Sequence, residues 1–215
     1  SFGYGGGTQV GNTGLGYGAG YYPSGNYNTY LGFKAGYGNA TTKTGYGNVG
    51  VGSEALADIS SGYYNVAVGI FAGTNMTTGY SNVSIGPRAS NNTSTGHKNV
   101  AMGAYALDAD TTGHSNVALG YHALGDATVG SENVAIGTYA GKSYVGTTSS
   151  VYGGFSVFIG HTAGYLLTGN GSYKGVTLVG HAAGYSATGA NNITGLGASA
   201  FYYADGASES VAVGR

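Results

Sequence analysis

The chain has 215 residues, of which 45 are glycine and 21 tyrosine, with two prolines, no cysteine and no tryptophan. Only 7% are charged, seven Lys plus Arg against eight Asp plus Glu, while 41% are hydrophobic. That balance excludes a disordered tail, which needs high charge and few apolar residues; it also lacks the clustered cations that nucleic acid or an anionic membrane surface requires, and the thiolates of a cysteine metal site.

No apolar run approaches the roughly 20 residues that span a bilayer, and no basic and apolar leader opens the sequence, so this segment is not expected to insert in a membrane. Along the chain the first recognisable element is Thr13-Gly14-Leu15-Gly16, a short apolar run closed by glycine. It returns with its glycine at 32, 52, 69, 86, 103, 120, 137, 160, 180, 197 and 214, and seven of the eleven spacings are 17 residues. Twelve copies of one unit therefore fill the chain, and the longer spacings read as loop insertions.

Each position in the unit has its own character. Before the glycine stands Leu15, Leu31, Val51, Val68, Ile85, Met102, Leu119, Ile136, Ile159, Val179, Leu196 or Val213, always aliphatic or Met, which reads as a buried core row. Two residues earlier comes Val or Thr in most copies, and the residue between is small except at Tyr30, Phe158 and Leu178. Alternation at period two with β-branched residues predicts a strand. Three residues after the glycine comes alanine without exception, at Ala19, Ala35, Ala55, Ala72, Ala89, Ala106, Ala123, Ala140, Ala163, Ala183 and Ala200, a space that admits one methyl group. A second glycine, at 45, 62, 79, 96, 113 and 130, marks a turn where positive φ is expected. The next residue forms a row of its own, Tyr46, Tyr63, Tyr80, His97 and His114, whose rings stack if each unit is one coil.

Glycine at this density would cost a helix about 1 kcal/mol per residue, and no stretch repeats every 3.6 residues. The expected fold is an all-β parallel β-solenoid of about twelve coils of roughly 17 residues, two short strands and two turns to a coil. It forms a single domain over residues 1–215, most regular over 44–141, with insertions near 36–45, 141–155 and 164–175. Eleven rises of about 4.8 Å make a rod of about 50 to 60 Å. A coil this thin buries little by itself, so a homotrimer is expected, in which three solenoids cover one another's small-residue faces.

Asn116-Val117-Ala118-Leu119-Gly120, Asn133-Val134-Ala135-Ile136-Gly137 and the longer string from Thr111 to Leu124 resemble the head repeats of trimeric autotransporter adhesins, and still more the longer repeats of phage tail-fibre-like proteins. The resemblance covers essentially the whole chain and implies a left-handed parallel β-roll that trimerises and serves as a rigid shaft or adhesive head. The unit is longer than that of adhesin heads, and neither their stalk and anchor nor the self-cleaving chaperone of tail fibres appears in this segment, which reads as part of a longer protein.

Catalytic and metal chemistry find little support. Gly14 to Gly20 resembles a phosphate-cradling loop only because glycine is so common, and no βαβ context surrounds it. His161 and His181 share a register in adjacent coils, as do His97 and His114, and both pairs read as stacked surface rows. Asp108 and Asp110 stand close enough in sequence to hold a loop calcium, yet the calcium-binding repeat of other β-rolls is missing, and the acids read as solvated turn residues. Asn39-Ala40-Thr41 and Asn75-Met76-Thr77 are incidental sequons in a chain rich in Asn and Thr. No Ser-His-Asp constellation emerges. The chain is therefore expected to be no enzyme and to need no cofactor or metal.

The expected role is a fibre or spike segment on a virion surface, partnered by its own copies and by other fibre proteins, in contact with a host glycan or receptor. The alternative is the head of a bacterial surface adhesin, and a weaker one an ice-binding solenoid, which would need Thr on the strands. Surface aromatics that can stack on sugar rings are the candidate contacts: Tyr17, Phe33, Tyr121 and His122 just after the glycines, and Tyr46, Tyr63 and Tyr80 in the turns.

Overall fold

A computed structural model describes residues 10–22, 25–38, 44–128, 130–144, 155–167 and 175–214; much of the three expected insertions falls outside them. Each coil contributes one strand of three residues: β1 (Thr13–Leu15), β2 (Thr29–Leu31), β3 (Val49–Val51), β4 (Val66–Val68), β5 (Val83–Ile85), β6 (Val100–Met102), β7 (Val117–Leu119), β8 (Val134–Ile136), β9 (Val157–Ile159), β10 (Thr177–Val179), β11 (Thr194–Leu196) and β12 (Val211–Val213). They pair in chain order into a single sheet, every pair parallel and like on like, as with Val66 beside Val83 and Val68 beside Ile85. The fold is an all-β parallel solenoid, and among the described residues there is no helix.

Among the described residues the second strand expected in each coil does not form. After the strand the backbone takes positive φ at the closing glycine (138° at Gly69) and again two and four residues on, at Phe71 and Gly73 in one coil and at Tyr105 and Leu107 in another. A strand cannot continue through alternating signs of φ. The backbone still bonds from coil to coil there, Phe71 N–H donating to Ser53 O and Gly73 N–H to Ala89 O, both at 2.9 Å. Isolated bridges such as Leu166–Ser186–Tyr203 are what remains of the far side.

The two glycine rows have different causes. A Cβ on Gly69 would combine a strained φ with a 2.6 Å approach to the Gly86 carbonyl oxygen. The turn glycines Gly45, Gly62, Gly79, Gly96 and Gly113 lack the positive φ expected of them. Glycine is needed there because a Cβ on Gly62 would lie 2.4 Å from the Gly79 carbonyl oxygen. The positive φ falls two residues later, at Gly47, Tyr64, Ser81, Lys98 and Ser115.

The interior also corrects the sequence reading. The alanine row is fully enclosed, Ala55, Ala72, Ala89, Ala106, Ala123 and Ala140 all having 0% exposure. The aliphatic row read as core faces outward: Val68, Met102, Ile136, Ile159, Leu196 and Val213 are exposed, and Val51, Ile85, Leu119 and Val179 are half-buried. A strand of three residues puts only its middle residue inside, and that position is small in most coils. Four residues after the closing glycine comes the balancing position: Leu107 and Leu124 fill it where the strands carry Ala101 and Ala118. Where the strand instead carries Tyr30, Phe158 or Leu178, glycine stands against the large side chain at Gly36, Gly164 and Gly184, where a Cβ would come within 2.3 to 2.5 Å of it. These coils conserve volume.

A ladder of buried asparagines, Asn28, Asn48, Asn65, Asn82, Asn99, Asn116 and Asn133, runs beside the strands. Asn65 Nδ2 donates to Gly79 O at 2.8 Å, and its Oδ1 accepts the Asn82 backbone N–H at 3.0 Å. Each amide thus satisfies backbone groups at a corner where the extended ladder begins. In Asn99→Ala, the Gly113 carbonyl and the Asn116 N–H would lose their partners. The expected loss is about 3 kcal/mol, since each orphaned buried group costs about 1–3, measured as a lower urea midpoint; an unchanged midpoint would refute this role of the ladder.

Candidate functional site

Two kinds of surface stand out, and both arise because each residue recurs one strand spacing along the rod. The first is the outer face of the sheet. Its two rows are Val49, Val66, Val83, Val100, Val117, Val134 and Val157 on one side and Val51, Val68, Ile85, Met102, Leu119, Ile136 and Ile159 on the other. The second row continues unbroken through the flanking coils as an apolar strip about 53 Å long, eleven steps of ~4.8 Å, while the first carries Thr13, Thr29, Thr177 and Thr194 there. No charged residue stands in either row.

The second surface is aromatic. Tyr46, Tyr63, Tyr80, His97 and His114 stack in an unbroken column with ring centroids 4.5 to 5.3 Å apart. Tyr17 and Phe33 make a separate stacked pair at 5.7 Å. His122 stacks between Tyr105 and Tyr139, while Tyr121 lies across all three at 76° to 85°. The seven candidate contacts therefore divide into three groups. Inside a column each ring has a neighbour over both faces, so Tyr63, Tyr80 and His122 offer edges and polar tips to a sugar rather than a free face. Tyr121 and Tyr17, both exposed, keep open surface.

A further column lies outside the seven candidate contacts. Tyr165, Tyr185 and Tyr202 stack at 5.1 and 5.0 Å, with Tyr203 lying across Tyr202 at 81°. Tyr21 and Tyr37 stack in the same register near the other end. Their signal was adjacent aromatics: in Tyr21-Tyr22, Tyr63-Tyr64, Tyr121-His122 and Tyr202-Tyr203 one ring joins a column and its sequence neighbour lies nearly perpendicular to it.

His161 and His181 stack at 5.3 Å, and among the described residues no three His, Cys, Asp or Glu side chains come together to hold a metal. Partial burial, then the charges of His114 and Lys98, lower the His97 pKa. Asn75 is tied to Asn92 through its Nδ2 at 2.8 Å, and Asn39 lies outside the described residues. Asp108 and Asp110 diverge. Asp108 is half-buried rather than solvated, its Oδ2 meeting Arg88 at 3.4 Å, and that partial burial raises its pKa against the pull of the guanidinium. Asp110 is 1% exposed, which corrects its reading as a solvated turn acid. Its Oδ1 accepts the Gly113 N–H at 2.7 Å, and its Oδ2 accepts from Asn116 Nδ2 at 3.4 Å. Burial pushes its pKa up to about 7 against these bonds.

No protein-family model, curated protein or solved structure matches the chain.

Asp110 makes stability depend on pH. Between about pH 4 and 7 an unfolded chain ionises this carboxyl while the folded chain keeps its proton, so stability falls as pH rises through that window and levels off above it, by at most about 4 kcal/mol. Met76 occupies the equivalent seat in an earlier coil, with its Sδ 3.6 Å from Asn82 Nδ2. Asp110→Met is therefore expected to raise the melting temperature clearly at pH 8 and little at pH 4; equal shifts at both pH values would contradict this assignment.

Proposed function

We propose that this chain is a non-enzymatic structural segment of a phage or virion fibre, a rigid rod that assembles with copies of itself, most simply three around one axis, and presents its remaining sides to a host surface. The observation that carries this reading is the outward aliphatic strip. A monomeric soluble protein rarely exposes a contiguous apolar patch of more than a few hundred Å², and a strip of this length, two apolar side chains wide over its middle coils, is on the order of 500 Å². Its residues repeat in strict register, so a second rod with the same rise meets it side chain for side chain. The covering partner is a copy of the chain, because only a partner with the same spacing fits along the whole strip.

This places the proposed contact differently from the arrangement expected at first, in which small-residue faces packed together. The small residues line the lumen and the branched ones face out. An interface of Val, Ile, Leu and Met also fits the hydrophobic character of obligate interfaces. The ice-binding reading gains nothing, since threonine holds the outward strand positions only at Thr13, Thr29, Thr177 and Thr194. Polysaccharide or receptor contact would fall to the aromatic columns outside the strip, and attachment to other fibre proteins would extend the rod along its axis.

Light scattering of the purified chain is expected to give three times the chain mass at micromolar concentration. Val100→Glu combined with Val117→Glu, which places like charges in adjacent coils of the strip, should reduce this to a monomer or an aggregating species while leaving the β-rich circular dichroism spectrum in place. A stable wild-type monomer would overturn the proposal.

A further inference from the structure

We infer that the side of the rod opposite the sheet carries a saccharide-binding surface built from Tyr165, Tyr185, Tyr202, Tyr203, Thr188 and Asp205, and that its ligand is an uncharged, hydroxyl-rich glycan lying along the rod. This deepens the host-contact part of the fibre reading and rests on it.

Tyr203 stands eight residues after Gly195, the middle of β11, in a coil of 17, so it lies half a turn from the aliphatic strip. A surface there stays accessible when the strip is covered by other copies. The column Tyr165, Tyr185, Tyr202 supplies one ring per coil at 5.0 to 5.1 Å, tilted by only 7° to 9° from one to the next. Its phenol groups thus recur at the rise of the rod. Tyr203 crosses the column with its centroid 4.7 Å from that of Tyr202, and it is 77% exposed. This gives a ring with open surface against which the C–H face of a pyranose can lie.

Beside it is a fixed acceptor. Ala204 points inward, and its neighbours Tyr203 and Asp205 are both exposed. Asp205 Oδ1 accepts the Thr188 N–H at 3.2 Å and the Thr188 hydroxyl at 2.5 Å, bonds across one coil spacing that hold the carboxylate in place. Oδ2 is then the atom available to ligand hydroxyls. The same bonds keep the Asp205 pKa below the ordinary carboxylate value, so the group is an acceptor at any neutral pH.

Composition selects the ligand class. From residue 175 to 204 the chain has no Asp, Glu, Lys or Arg. The one cation near the column, Lys142 with its Nζ 5.7 Å from the Tyr165 ring, is paired with Asp126, so a sulfated, phosphorylated or uronic-acid polymer would meet no free cation along Tyr185 to Asp205 and would be repelled by Asp205, whereas phenol hydroxyls, a Thr hydroxyl and one carboxylate suit vicinal hydroxyls. The spacing selects an extended chain over an isolated monosaccharide, because the same donors recur in successive coils.

Affinity electrophoresis of the intact rod through native gels containing mannan, galactan or dextran reads this directly. Retardation by at least one of these is expected, with the apparent affinity falling at least tenfold in Tyr203→Ala and severalfold in Asp205→Asn, while Tyr203→Phe keeps most of it. Circular dichroism melts verify that each exposed-site variant folds. Unchanged retardation in Tyr203→Ala, or no retardation by any of the three polymers, overturns the inference. The oligomer mass, measured on the same samples, separates the two readings: a trimer that no neutral polymer retards leaves the fibre reading standing without this surface, and a retarded monomer does the reverse.

Discussion

Every coil bonds to the next at one strand spacing, so each position must tolerate a copy of itself about 4.8 Å away. The rest of the structure follows from that requirement. Glycine stands where two carbonyl-bearing turns come too close for a Cβ. Asparagine stands where a buried corner leaves a carbonyl and an N–H to be satisfied in each adjacent coil. Tyrosine and histidine stand where rings can lie face to face. Charged side chains meet across coils as opposite pairs, Arg88 with Asp108 and Asp126 with Lys142.

The narrow lumen is the second constraint, and it inverts the usual arrangement of a strand. Alanine, serine and glycine occupy the inside while valine and isoleucine face out. The buried apolar residues form two clusters, one from Ala19 to Met76 and one from Ala89 to Ala204. At their junction Ser84, Ser90 and Thr93 place three buried hydroxyls without a protein partner in one coil. A chain whose interior is this slight derives little stability from its own core, and the outward strip is the apolar surface left to contribute more.

Much of this was legible in the sequence. The closing glycine, the alanine row and the aromatic column each appear at fixed intervals, and each stands where the periodicity put it. What failed was the assignment of inside and outside. Val68 and Ala67 alternate in either case, and period two alone does not say which faces the lumen. The information lay in the exceptions: Tyr30, Phe158 and Leu178 each coincide with a glycine four residues after a closing glycine, a compensation that only shared interior volume requires. The Asn ladder was visible as a conserved letter within the repeat, but its bonds run between coils and have no local signature. Asp110 was hidden for a related reason, since a carboxylate between two alternating positions looks like any turn acid until the register places it in line with Met76 and Thr93. The aromatic platform at Tyr203 had a signal, the adjacent Tyr202-Tyr203 pair, whose meaning depends on one ring being claimed by the column.

The strict register has a consequence for heredity. Over residues 44 to 141 one coil can be exchanged for, inserted beside or deleted from another with glycine still meeting glycine and asparagine still meeting asparagine, so a recombination event between two copies changes only the reach of the rod, in steps of one strand spacing. Coils such as that around Phe158 lack this freedom, because the ring faces Gly164 in its own coil and Gly141 in the coil before it, and the set must travel together. The molecule is thus a ruler with an interchangeable middle and a fitted end.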